Sequence, residues 1–301
     1  MNRKTNRACK FVSLLAVLAM FLGACAPAQP APPDGYKSPY SIAYKNSEGD
    51  LTFDFNTSPR NDITLQFDPS QPPLTYANWY NRSSYPAEDI TWGPHVVQFS
   101  PVTIPATAAG DSKTWRQERV LRVAQKYLGT NYQHHHNPDW FPASDPNWPW
   151  QDVSLGHNSK GIDCSDFSSL VYNYGLGIKL ITAVEVQATT KTVTGPGGVG
   201  TMTVQTIPGQ AYNTLISQLA PGDLLYIRES ADPKAKVSHV IMWIGKNSSS
   251  PEIPLIIDSH DNKPPFKDKN GNVVPAGVNI RPFEESGWYY KSFDHAHRII
   301  Q

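Results

Sequence analysis

The order of patterns along this chain predicts an α+β fold, helices packed on an antiparallel sheet, with a small β-rich region ahead of the main domain. Helical periodicity sits early in that domain, in 111–128 and 164–175, while strand-like runs gather in the last third, at 224–227, 239–245 and 255–260. Nearer the amino terminus, 40–67 alternates: Ile42 and Tyr44, then Leu51, Phe53 and Phe55, then Ile63, Leu65 and Phe67, with turn residues between. That spacing predicts a short antiparallel meander.

The chain opens with a basic segment (Arg3, Lys4, Arg7, Lys10) and an apolar run, Phe11 to Gly23, too short to span a bilayer. Residues 1–24 therefore read as an export signal. Leu22-Gly23-Ala24-Cys25 resembles a bacterial lipobox, which implies cleavage before Cys25 and a lipid on its thiol. By the same resemblance, Ala26 in place of Asp points to an outer-membrane anchor facing the periplasm. Residues 25–39 follow as a tether: Ala26 to Gly35 holds four prolines and no apolar period. The accessory region is then 40–110. Its second half, from Pro69, is rich in proline and aromatics, including Trp79, Tyr80 and Trp92, and reads as irregular structure packed on the main domain.

The formal charge of +0 conceals a split, because four basic and no acidic residues lie in 1–24, leaving 22 basic against 26 acidic residues. A net of −4 carries no basic face, so nucleic acid is not an expected partner.

The main domain, 111–301, begins with a helix capped by Asp111 or Ser112. Trp115, Val120, Val123, Ala124, Tyr127 and Leu128 make its buried face, Arg116, Glu118, Arg119, Arg122 and Lys126 its mostly solvated one, and Gly129 its end. The following proline-broken loop contains His134, His135 and His136. Adjacent histidines do not readily converge on one ion, and no matching pair accompanies them, so no metal site is expected.

Gly161 to Gly175 is the centre of the reading. Phe167, Leu170, Val171 and Tyr174 give a helical face, Asp163 or Ser165 can cap its start, and Gly175 is a natural stop. Cys164 thus falls in the first turn, where unpaired backbone N–H groups and the helix dipole favour a thiolate. With Cys9 in the signal and Cys25 acylated, it is the single free thiol of an exported chain, and such a leftover points to reactivity. Further on, 189–194 and 201–207 read as a hairpin around a glycine-rich turn.

In the late strands the pleat puts His239, Ile241 and Trp243 on one face, and Ile256, Asp258 and His260 on one face of the next. A helix-start cysteine, a strand-start histidine and a polar residue on the neighbouring strand are the parts of a Cys–His–polar triad.

These segments carry a resemblance. DCSDF at 163–167, PGDLLYI at 221–227, HVIMWIG at 239–245, WYYKSFDHAHRII at 288–300 and KYLGTNY at 126–132 resemble the NlpC/P60 family of papain-like cell-wall peptidases, in the family's order, over 114–301. The resemblance implies a papain-like fold and a thiol endopeptidase acting on peptidoglycan stem peptides, commonly between D-glutamate, through its γ-carboxyl, and a diamino acid. It implies Cys164 as nucleophile, His239 as base, Asp163 and Ser165 as binders of a free amino end, and Tyr132 lining the site, with no cofactor. For the third triad position residue type favours His260 and register favours Asp258, so both stand. The sequence departs from the family at Asp166 and Ile241, where glycine is usual, and at the histidine triplet. Another muropeptide amidase, a thiol transacylase and a non-catalytic stem-peptide-binding lipoprotein are the alternatives.

Overall fold

The computed structural model describes residues 37–46, 49–53, 112–129, 132, 162–248 and 252–301. The expectations for the signal segment, Cys25, the tether up to residue 36, the strand at Ile63 to Phe67, the aromatic stretch from Pro69 and His134 to His136 lie outside the described residues.

In chain order the elements are β1 (Ile42–Asn46), β2 (Gly49–Phe53), α1 (Lys113–Lys126), α2 (Cys164–Leu176), α3 (Val184–Thr189), β3 (Thr192–Thr194), β4 (Thr201–Thr203) and β5 (Gln205–Pro208). Then come α4 (Tyr212–Gln218), β6 (Leu224–Arg228), β7 (Val237–Asn247), β8 (Pro254–His260), β9 (Gly277–Pro282), α5 (Trp288–Lys291) and β10 (Phe293–Arg298). The main sheet follows β2-β1-β7-β6-β10-β5, and β8 joins β9 to the other side of β7. Every pairing in it is antiparallel, as expected.

Strand β7 is the pivot. It pairs with β6, β8 and, at its far end, β1, through Ile42 against Asn247 and Ala43 against Lys246. The accessory hairpin therefore extends the main sheet, and Tyr40, Ile42 and Phe53 bury in the same core as α1 and α2.

The pleat explains why β6 and β7 read as nearly continuous apolar runs. Leu224, Tyr226, Val240, Met242 and Ile244 face the core beneath α1 and α2, while Leu225, Ile227, Ile241 and Trp243 face a second core with Leu215, Ile256 and Phe283.

Ser112 caps α1, accepting from the Trp115 N–H at 3.1 Å. Arg119, expected on the solvated face, is instead buried: its Nε donates to the Gly175 carbonyl at 2.7 Å, and its guanidinium lies 4.8 Å from the centroid of the Trp115 ring. A carbonyl in the last turn of α2 and an aromatic face together replace its water.

Gly175 does not end α2. The helix runs on to Leu176 and is capped by Gly177 in the left-handed region, φ 63°, whose N–H donates to the Asn173 carbonyl at 2.8 Å. What Gly175 supplies is close approach, since a Cβ there would lie 3.4 Å from Val120 Cα on α1. The run expected at 201–207 also divides, with β4 pairing β3 as a hairpin and β5 crossing to β10.

Candidate active site

Asp163 starts α2. Its Oδ1 accepts the Asp166 N–H at 2.8 Å and the Ser165 hydroxyl at 3.1 Å, and its carbonyl accepts the Phe167 N–H at 3.0 Å. Cys164 is thereby fixed as the first helical residue, 7% exposed. The backbone N–H groups of Cys164 and Ser165 make no hydrogen bond among the described residues, as expected for helix-start donors. The segment just ahead is pinned to β8, because Ser259 donates to the Ile162 carbonyl at 2.5 Å. A parallel bridge between Ile162 and Tyr132 brings that tyrosine in beside it. Burial, and then the negative charges of Cys164 and Asp163, push the Tyr132 hydroxyl well up, so it stays protonated.

His239 hydrogen-bonds on two sides. Its Nε2 lies 2.7 Å from Asp258 Oδ2, and the ring also bonds the Cys164 side chain, for which Nδ1 is the nitrogen left. Burial alone would lower its pKa. The Cys164 charge and the bond to Asp258 overcome that and raise it to about 10.

Asp258 is fully buried and fully used. Oδ2 also accepts the Tyr289 hydroxyl at 2.6 Å, and Oδ1 accepts from Arg281 Nη1. Burial would raise the carboxyl's pKa, yet the Arg281 guanidinium and then His239 hold it well below the ordinary carboxylate range. Arg281 is itself wholly buried, with Nη2 donating to the Pro275 carbonyl at 2.9 Å and the Gly277 carbonyl at 3.2 Å.

His260 is close to this chain of groups without being a link in it. Its Nδ1 accepts the Asn262 N–H at 2.7 Å, and its ring stands perpendicular to His239 at a centroid distance of 5.1 Å. Burial, reinforced by the adjacent His239 charge, depresses its pKa well below the usual value, so it is neutral. The preference for His260 by residue type thus meets a structure in which the bond to His239 comes from Asp258. The two rings meet in a T-shaped contact, whereas the carboxylate two residues earlier reaches His239 Nε2 at 2.7 Å.

Arg281 and Tyr289 escaped the sequence reading. Arg281 is a charge within the apolar strand GVNIRP, on the strand paired with β8, and such a residue demands a buried acid nearby. Tyr289 sits in the quoted WYYKSF segment, but its partner is 31 residues away in sequence. Among the described residues no three His, Cys, Asp or Glu side chains converge where a metal ion could be held.

A helix-borne thiol facing a histidine on an antiparallel sheet defines an α+β fold of the papain-like type. The NlpC/P60 family model matches residues 153–295 of this chain. No curated protein matches the chain. Similar solved structures include an NlpC/P60 family protein from Bacillus cereus, 18% identical over 62% of this chain and 40% of that one, with a TM-score of 0.35. NlpC1 from Trichomonas vaginalis is 18% identical over 61% of this chain and 44% of its own, with a TM-score of 0.33. A Staphylococcus aureus protein described as similar to lipoprotein, of the NLP/P60 family, is 17% identical over 75% and 57%, with a TM-score of 0.32. The chain spans less than two thirds of the length of each of these three.

Proposed function

We propose that this chain is a cysteine peptidase that hydrolyses amide bonds in peptidoglycan stem peptides, between D-glutamate, through its γ-carboxyl, and a diamino acid. The observation that carries the reading is the unbroken series Cys164, His239, Asp258, Arg281, in which each side chain bonds the next.

Cys164 attacks the scissile carbonyl as thiolate, breaking the carbonyl π bond and placing charge on its oxygen. The free N–H groups of Cys164 and Ser165 are placed to receive that oxyanion, a contribution of about 3 kcal/mol per donor in enzymes where one was removed. Nδ1–H of His239 then protonates the leaving amine, and the neutral ring activates the water that cleaves the thioester. Asp258 is a positioning residue that holds the proton on Nε2 and stabilises the imidazolium. Oδ1 of Asp163 is engaged in the helix cap, which leaves Oδ2 for the free ammonium of a stem peptide, with Ser165 beside it and Tyr132 along the wall. Cys25 carries a lipid that holds the domain at the outer membrane, an inference resting on the lipobox-like LGAC sequence alone.

The test is digestion of a stem tripeptide with a free amino terminus and of its N-acetylmuramoyl counterpart, with Cys164→Ala as control and product masses as readout. Preferential cleavage of the free tripeptide at the γ-glutamyl bond is expected, since N-acylation removes a charged hydrogen bond of about 1.5–3 kcal/mol. Equal cleavage of both would remove the amine-recognition step. Cleavage at another bond would make the chain a different muropeptide amidase, and a transferred rather than hydrolysed acyl group would make it a transacylase.

A further inference from the structure

The hairpin β3–β4 has no task in this chemistry, yet it covers a cavity of about 170 Å³ between itself, the residues that follow α2, and the sheet. Leu180, Val193, Val204 and Ile299 supply apolar walls, and Lys179 and His297 supply polar groups. None of its described lining residues is acidic, and neither Cys164 nor His239 is among them.

His297 is only 2% exposed, and its tautomer follows from its neighbours. His295 Nε2 lies 2.9 Å from the Ala188 carbonyl, which only accepts, so that nitrogen carries a hydrogen. The same Nε2 lies 3.1 Å from His297 Nε2, so its one hydrogen is shared between the carbonyl and that ring, and His297 Nε2 presents its lone pair. The ring is neutral, because burial and the adjacent His295 and Lys191 lower its pKa to about 3. Its one hydrogen is therefore on Nδ1, which finds no acceptor among the described residues. The ring is held from behind: His295 Nδ1 bonds Asp294, and Asp294 pairs with Arg228 at 2.6 Å.

Lys179 makes the second observation. It is half-buried and makes no ion pair among the described residues, and burial lowers its pKa from the ordinary lysine value. An ammonium and an N–H donor thus line one cavity whose described lining holds no acid, a setting that suits an anionic acceptor.

We propose that this cavity binds a small monocarboxylate with a short aliphatic body, its carboxylate held by Lys179 and by Nδ1–H of His297, its body against Leu180, Val193, Val204 and Ile299. An amino acid is disfavoured, because its ammonium would enter beside Lys179 with no carboxylate to meet it. A 150 Å³ apolar cavity takes benzene, so a ligand of about eight non-hydrogen atoms suits this one.

The probe is 4-methylpentanoate, titrated calorimetrically into the full chain at pH 7 beside the isosteric 4-methylpentanamide and leucine. The acid is expected to bind about tenfold or more tighter than the amide, with leucine the weakest. Lys179→Met, at a half-buried position, is expected to abolish the preference for acid over amide while leaving the denaturation midpoint nearly unchanged. Equal binding of acid and amide to the unmodified chain overturns the proposal irrespective of any variant. So does an acid preference that survives in Lys179→Met, and so does an absence of saturable heat with the acid.

Discussion

Asp258→Asn is the substitution that separates the two candidates for the third triad position. Asp258 accepts from three donors, the His239 ring, the Tyr289 hydroxyl and Arg281. An asparagine has one oxygen and one NH2 group, so it cannot serve all three. If its oxygen faces Arg281, its NH2 faces His239 Nε2, and the ring moves its proton to Nδ1. The nitrogen facing Cys164 can then no longer take a proton. In a serine hydrolase triad the equivalent change lowers kcat about 10⁴-fold, which is about 5.4 kcal/mol of transition-state stabilisation. Removing the charge beside the wholly buried Arg281 costs a further ~3–5 kcal/mol of stability, so the assay belongs well below the variant's melting temperature.

The measurement is kcat on a released stem tripeptide for Asp258→Asn and for His260→Ala, with circular dichroism to establish that both are folded. A fall of about three to four decades is expected for Asp258→Asn and of about one decade or less for His260→Ala, whose ring accepts the Asn262 backbone N–H and makes no bond to His239. A folded Asp258→Asn within tenfold of the parent, or a larger loss at His260, would refute the assignment of Asp258 as the residue that orients the ring.

Four further outcomes follow from the structure. The His239 ring proton, followed by NMR, should titrate near pH 10 in the parent chain and at lower pH in Cys164→Ala, because the sulfur charge is the largest influence raising it; an unchanged titration would show that no thiolate lies beside the ring. Folding should also gain from His239 below about pH 6.5 and lose that gain as pH rises toward 10, the sign required of a group whose folded pKa is raised. Asp166 has a buried Oδ2 without a partner and a pKa raised well above 3.8 by burial, Asp163 and Cys164, so it costs stability as pH rises above its unfolded value. Urea unfolding of Asp166→Asn should therefore show a stability difference from the parent that moves in the variant's favour between pH 4 and 8. Arg119→Met should lose about 1–3 kcal/mol by the same method, since it leaves the Gly175 carbonyl without its charged donor.

Much of the frame was legible because it rests on local pattern. The periodicity of Val120 to Tyr127 and of Phe167 to Tyr174 marked two helices, and the two-residue alternation at Ile241 and Trp243 marked the strand face that packs in the second core. Local pattern does not say what a residue meets across the fold. Arg119 looked solvated because nothing nearby in sequence needs its charge; its acceptor is 56 residues away at the end of another helix. Gly175 looked like a stop because glycine favours helix ends, but a glycine is also what a close crossing requires, and only Val120 in place on α1 separates the two readings. The third triad position failed to resolve for a similar reason. Asp258 and His260 share a strand face, and what distinguishes them is Arg281 on the next strand, which compensates a buried carboxylate.

The site is a row of four groups in series: the Cys164 sulfur, the His239 ring, the Asp258 carboxylate and the Arg281 guanidinium. Each member alone would be expelled from a buried position or neutralised there, since desolvation opposes the charged form of all four. Placed in series, each has an opposite neighbour, and the last, Arg281, spreads its positive charge over the Pro275 and Gly277 carbonyls as well. The Asp163 cap already sets one carboxylate beside the sulfur end of the row, and a second anion there would add repulsion. Asp166 stands in the first turn of α2, two residues after Cys164, and would be that anion if it ionised. Burial, and then the neighbouring Asp163 and Cys164, push its pKa well above the ordinary carboxylate value and so oppose that charge. The same desolvation that the row must overcome is what silences Asp166, and the distinction between them is a partner: Asp258 has Arg281, while Asp166 Oδ2 has none.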